Sequence, residues 1–362
     1  MKHTTFFKIS LARYVGLVFI LILSLRAQSI NSSGISVGAT QFNALANSDT
    51  FISIPYLRSL EYAGTVVTFS GSTLTIAGSP GWGNNDFVYD SDVQPKTYAL
   101  WIRSGALEGN YYTILKNQWE TVTIDLNGKS LSGLNSGDKV AIIPYWTLGT
   151  LFPSSDVGVS FVASPSAVSR TTEILIPNQQ GSDLTSQYDA SYYFYNNAWR
   201  QVGQSTSKSM NDVILTPDTF FIIRNHNQAT SLTIGGEILN TKMSLQLNVL
   251  TAGMQDNPVA LIRPVPQKLN DLGLITSGVF VASPSPVLRK DQLFVFDNGI
   301  PGLNKSPAST YYYYNGGWRK VGSPITTDFG NAVVFSSQYS MMIRKFPTNT
   351  AGTLTWKNSA NY

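Results

Sequence analysis

Two stretches of the chain are near copies of one another, 119 residues apart: Phe161-Val-Ala-Ser-Pro-Ser166 returns unchanged as Phe280-Val-Ala-Ser-Pro-Ser285. Tyr192 to Gly203 returns as Tyr311 to Gly322 with eight of twelve positions identical, Trp199-Arg200 matching Trp318-Arg319. Arg170 falls on Arg289 at the same offset, and Val140-Ala-Ile-Ile143 on Val259-Ala-Leu-Ile262. A fixed period means that one supersecondary unit is used more than once, which restricts the fold before any single motif does. An active site has no need to appear twice, so the repetition points toward scaffolding or binding.

The unit is built of strands. Thr65 to Phe69 and Thr73 to Ala77 are two alternating runs around Ser70-Gly-Ser72, the grammar of a hairpin. Glu120 to Asp125 alternates and stops before Asn127-Gly128, and Lys139 to Ile143 is closed by Pro144. Further runs are Tyr98–Arg103, Tyr111–Leu115, Thr172–Ile176, Thr219–Arg224, Ser231–Ile234, Met243–Leu250, Gln292–Phe296, Tyr339–Arg344 and Gly352–Trp356. Only 146–151 and 267–274 leave room for a helical turn or two. Short runs with turn signals every 8 to 12 residues predict an all-β chain of tandem β-sandwich or small β-barrel modules. At least two of these modules are related by the internal repeat of about 119 residues. The repeated segments place module boundaries at 28–153, 154–272 and 273–362.

The first 27 residues read as a secretory signal: Lys2, Lys8 and Arg13 precede an apolar stretch from Tyr14 to Leu25, and Ala27 suits the end of the leader. That stretch is too short for a bilayer span, which needs roughly 20 residues. An exported protein, in the periplasm, at the cell surface or outside the cell, with no membrane span after signal removal, is therefore expected. The chain has 25 basic and 21 acidic residues, and the leader removes Lys2, Lys8, Arg13 and Arg26, leaving the mature charge near zero. Without a basic excess, counterion release has little to work with, so nucleic acid is not an expected partner. With no cysteine, disulfides, thiolate metal sites and a Cys nucleophile are all excluded. No cofactor motif stands out.

Ser48-Asp-Thr-Phe-Ile-Ser-Ile-Pro55, Gly137-Asp-Lys-Val-Ala-Ile-Ile-Pro144 and Trp146-Thr-Leu-Gly-Thr-Leu-Phe-Pro153, together with the doubled Tyr/Trp segments, resemble an uncharacterised family of exported bacterial proteins with internal β-rich repeats. The resemblance implies export and a repeated β architecture; it brings no activity and no catalytic residues.

Candidates for chemistry are few. Beyond His3 in the leader, His226 is the one histidine, so multi-histidine metal sites are excluded, and a loop role suits it better than a triad role. Asp86, Asp90 and Asp92 are the densest acidic cluster. They form a candidate Ca²⁺ loop without the glycine and terminal glutamate of an EF-hand, and Asp86 or Asp90 are the acids a two-carboxylate glycoside hydrolase would use. The doubled aromatic segments are the strongest lead. Alternation puts Tyr193 and Tyr195 on one face and Tyr312 and Tyr314 on the matching face of the copy, and the turns bring back Trp199-Arg200 and Trp318-Arg319 beside them. Such strips either pack as core or stack sugars, with a polysaccharide or cell-wall component as the partner. A self-assembling surface layer or fibre is the other non-catalytic reading.

Overall fold

The computed structural model describes residues 36–91, 93–178 and 188–362; the candidate leader and Asp92 lie outside these. As expected, the chain is nearly all β. β1 (Val37–Ala44) and β2 (Ser48–Ile52) come first. Six strands follow: β3 (Tyr62–Ser70), β4 (Thr73–Ile76), β5 (Tyr98–Ile102), β6 (Tyr111–Gln118), β7 (Thr121–Ile124) and β8 (Lys139–Pro144). After one helical turn, α1 (Leu148–Leu151), come β9 (Thr172–Pro177), β10 (Tyr188–Tyr195), β11 (Ala198–Gln201), β12 (Phe221–Asn225) and β13 (Thr230–Glu237). The rest of the chain supplies β14 (Met243–Val249), β15 (Gln255–Val259), β16 (Gln267–Lys268), β17 (Gln292–Asp297) and β18 (Ser309–Tyr314). It ends with β19 (Gly317–Lys320), β20 (Val333–Phe335), β21 (Tyr339–Lys345) and β22 (Gly352–Asn358). Among the described residues no helix is long and apolar enough to cross a membrane.

Two five-stranded antiparallel sheets share one order, β11-β10-β9-β12-β2 and β19-β18-β17-β21-β15. A two-stranded ribbon, β1-β13 in one half and β14-β22 in the other, covers one face of each. Strand pairing crosses the positions 153/154 and 272/273, because β2 pairs with β12 and β15 with β21. Repetition alone gives the period and leaves the phase open. The match extends to loops. Leu148 and Gly149 donate backbone hydrogen bonds to Val213 and Asn211, as Leu269 and Asn270 do to Ala332 and Gly330.

The halves differ in what lies between the second strand and that loop. In the second half the chain runs from β15 to β16 through 260–266; in the first it detours through β3 to β8, which close a barrel in the order β3-β4-β7-β6-β5-β8. Alternation fills the barrel with Val66, Leu74, Ile76, Leu100, Ile114, Val122 and Ile142. The outward residues of β5 and β8, Ala99, Trp101, Ala141 and Ile143, are buried too, in one core with Met243 and Leu245 of the second half. Gly109 makes this docking close: its φ is +92, and a Cβ there would come within 2.8 Å of the Lys242 carbonyl oxygen, so only glycine fits. The outer faces of the two large sheets meet through Phe51, Leu175 and Ile222 against Phe294, Phe296 and Met342.

Candidate functional site

The doubled aromatic segments form two hairpins, β10-β11 and β18-β19. In the first, Phe194 and Trp199 are paired and point inward; Trp199 is 0% exposed, among Phe152, Phe161 and Phe194, and its indole N–H donates to the Phe152 carbonyl at 3.3 Å. Trp318 holds the same place against Phe280 and Tyr313 at 2% exposure. Neither indole offers a surface to a sugar ring. On the other face, Tyr193 and Tyr312 are buried beneath Arg170 and Arg289, whose guanidinium carbons lie 6.0 and 5.7 Å from the ring centres. Arg200 and Arg319 are buried and donate to backbone carbonyls, Arg200 to Tyr195 and Arg319 to Thr327. Tyr195 and Tyr314 are half-buried. Packing accounts for these residues: aromatic and β-branched pairs stabilise hairpins by about 0.2–1 kcal/mol each.

The acidic loop is held by its own turns. The Asp86 carboxylate accepts from Gly83 N at 2.7 Å, and Asp90 pairs with Gln94 through the backbone. No group of three metal-ligating side chains occurs among the described residues. His226 Nε2 lies 2.8 Å from Glu173, which also accepts from Arg170 at 2.7 Å and Ser191 at 2.9 Å. Serine and histidine reach the carboxylate separately, so this is no relay from serine to histidine.

The largest cleft, about 780 Å³, lies where the barrel meets the second half. Tyr111 to Thr113 on β6 and the 125–130 turn form one wall, the 214–219 segment a second, and β14, β15 and β22 a third. Its floor is aromatic. Tyr111 stacks on Trp101 with ring centres 4.8 Å apart and meets Tyr145 edge-on at 6.2 Å, and the Lys129 ammonium sits 4.4 Å above the Tyr111 ring. Tyr111 hydrogen-bonds to Asp218, and the Tyr145 and Thr113 hydroxyls lie 3.1 Å apart. Burial first, then the Asp218 charge, pushes the Tyr111 phenol well above its ordinary pKa, and burial does the same for Tyr145; both stay protonated at neutral pH. Burial also lowers the Lys129 ammonium, with Asp218 acting in the opposite sense. The third wall is a ladder of amides and hydroxyls: Thr355 donates to Gln246 at 3.2 Å, Thr353 to Asn248 at 3.3 Å, and Asn248 N to Asn257 at 2.6 Å.

A smaller pocket of about 260 Å³ lies over the packed faces of the two sheets, floored by Phe51, Phe294, Phe296 and Met342. Two matching ion pairs stand at its sides, Arg224–Asp49 and Arg344–Asp256, each with two hydrogen bonds of 2.6–2.7 Å. The guanidinium groups are thereby committed to the protein.

None of the cleft residues stood out in the sequence as a site. They come from segments more than 200 residues apart, and Tyr111-Tyr112 and Asn127-Gly128 carried only strand and turn signals. Comparison with family models, curated proteins and solved structures finds no match to the chain.

Proposed function

We propose that the protein is an exported, non-catalytic binding protein whose ligand is a carbohydrate, held in the cleft between the barrel and the second half. The cleft carries this reading: a stacked, buried tyrosine floor beside walls of amide and hydroxyl groups suits the apolar ring face and polar edge of a sugar. Its charges, Lys129, Asp125 and Asp218, are few and of both signs, which favours a neutral polyhydroxylated ligand over a polyanion. Export rests on the leader and the near-zero mature charge.

Calorimetric titration of residues 28–362 with neutral oligosaccharides tests the proposal. Binding that weakens in Asp218→Asn and Thr355→Val supports it; unchanged binding in both variants places the ligand elsewhere. A second reading, glycoside hydrolysis, is favoured by one observation: two carboxylates, Asp125 and Asp218, line the same cleft. Release of reducing ends that disappears in both Asp125→Asn and Asp218→Asn would make it the better account.

A further inference from the structure

Trp119 breaks the rule that governs the other tryptophans. It is 67% exposed, and it stands at φ +57 as the first of the two residues that join β6 to β7, where Gln118 pairs with Thr121. That position in a two-residue hairpin suits glycine, and a bulky L-residue is strained there. The fold does not need the ring, since the turn is fixed by its backbone. Trp119 exchanges two hydrogen bonds of 2.9 Å with Trp82, and the Glu120 carbonyl accepts from Ile76 N at 2.8 Å. Trp82 in turn packs edge-on against Tyr62 and Phe87 at 4.9 and 5.1 Å. A strained residue kept on a rigid mount with its side chain in solvent marks a contact outside the fold.

The neighbouring surface indicates the partner. Cross-strand register sets the hydroxyls of Thr68, Thr75 and Thr121 in one row on the outside of the barrel, and those of Ser70, Thr73 and Thr123 in the next. The Thr73 and Thr123 hydroxyls lie 2.9 Å apart. Strands repeat at about 4.8 Å and alternate residues at about 6.8 Å, so the face is a regular hydroxyl grid, ending beside Trp119. Lys116, paired with Thr123, is its one charged neighbour in these rows. A nucleic acid would need a basic surface, and a protein partner a contiguous apolar patch.

We infer that Trp119 and the β3-β4-β7 face form a second surface, which stacks and hydrogen-bonds a neutral polysaccharide chain. It shares the ligand class of the cleft but none of its residues, so the two can fail separately. The test is co-sedimentation of the mature protein with insoluble cellulose, chitin and starch. The expected result for Trp119→Gly is retention reduced by roughly tenfold or more, with an unchanged or higher melting temperature and unaltered cleft titrations. Thr75→Val with Thr121→Val, which keeps shape and removes hydroxyls, should weaken retention in a folded protein. Wild-type retention by Trp119→Gly, no retention of the wild type on any of the three, or a clear drop in melting temperature in Trp119→Gly would each overturn the inference.

Discussion

The two halves solve one internal problem with different chemistry, and the difference can be measured. In the second half, Asp291 and Lys345 form an ion pair with both side chains at most 1% exposed. The carboxylate also accepts from Val281 N at 2.7 Å and Phe346 N at 2.8 Å, and the ammonium donates to the Val279 carbonyl. At the matching place in the first half stand two neutral residues: the Thr172 hydroxyl accepts from Val162 N at 3.0 Å and donates to Asn225 at 2.8 Å. Lys345→Asn leaves a buried carboxylate without its counter-charge. Removing one member of such a pair costs about 3–5 kcal/mol. Asp291 keeps two backbone donors, so the lower end applies, about 3 kcal/mol, or roughly a 150-fold shift toward the unfolded state. Asp291→Thr strands the ammonium with one carbonyl and should cost about 4–5 kcal/mol.

Installing both changes imports the neutral arrangement of the first half. Because a buried ion pair gains little over a well-packed neutral pair, the double variant should lie within about 1–2 kcal/mol of wild type. That implies a coupling of several kcal/mol between the two sites, readable by a double-mutant cycle in urea followed by tryptophan fluorescence. Additive single-site costs, or a Lys345→Asn cost below about 1 kcal/mol, would refute the reasoning.

Three further outcomes follow from the packing. Trp199→Ala should cost about 3–5 kcal/mol in urea unfolding, while the folded fraction keeps its saccharide titration; lost binding with intact stability would contradict the core assignment. Burial alone would raise the Glu173 carboxyl, but hydrogen bonds from His226, Arg170 and Ser191 hold it below its ordinary 4.5. Its contribution is therefore present above that value and lost as pH falls through the lower folded pKa, so Glu173→Gln should flatten the decline in urea midpoint below about pH 4.5. Arg263, 2% exposed, ties Leu239 and Thr241 to Asn358 by donating to their carbonyls at 2.7, 3.1 and 2.9 Å. Lysine cannot reproduce that fork, and Arg263→Lys should lower stability by about 2 kcal/mol or more; equal stability by differential scanning calorimetry would show that the ties are idle.

Strands whose partners are near in sequence were legible. The hairpin around Gly71 and the alternation before Asn127-Gly128 lie where the residues put them. β1 was not foreseen: Val37-Gly-Ala-Thr-Gln-Phe-Asn-Ala44 has weak strand propensity, and its partner is β13, which follows the whole barrel and most of the first half. Parity along Tyr192–Tyr195 gave the two faces of β10, but parity does not say what covers a face. The roof over Tyr193 comes from Arg170, on a loop whose position depends on the fold. Trp119 was passed over because a lone tryptophan between Gln118 and Glu120 looks like any strand residue until its backbone conformation is known.

The barrel explains why the repeat and the cleft do not coincide. Duplicated residues such as Trp199 and Trp318 serve what both halves need, a closed core, so their recurrence reports folding. The cleft needs one half to differ from the other. The detour between β2 and α1 supplies that difference, because it sets the barrel against β14 and β22 of the second half, while the corresponding ribbon of the first half, β1-β13, has no second barrel to meet. Asn248, Thr353 and Thr355 therefore lie opposite Tyr111 and Lys129 only once in the described chain. A binding site in a duplicated protein is best sought where the duplication is broken.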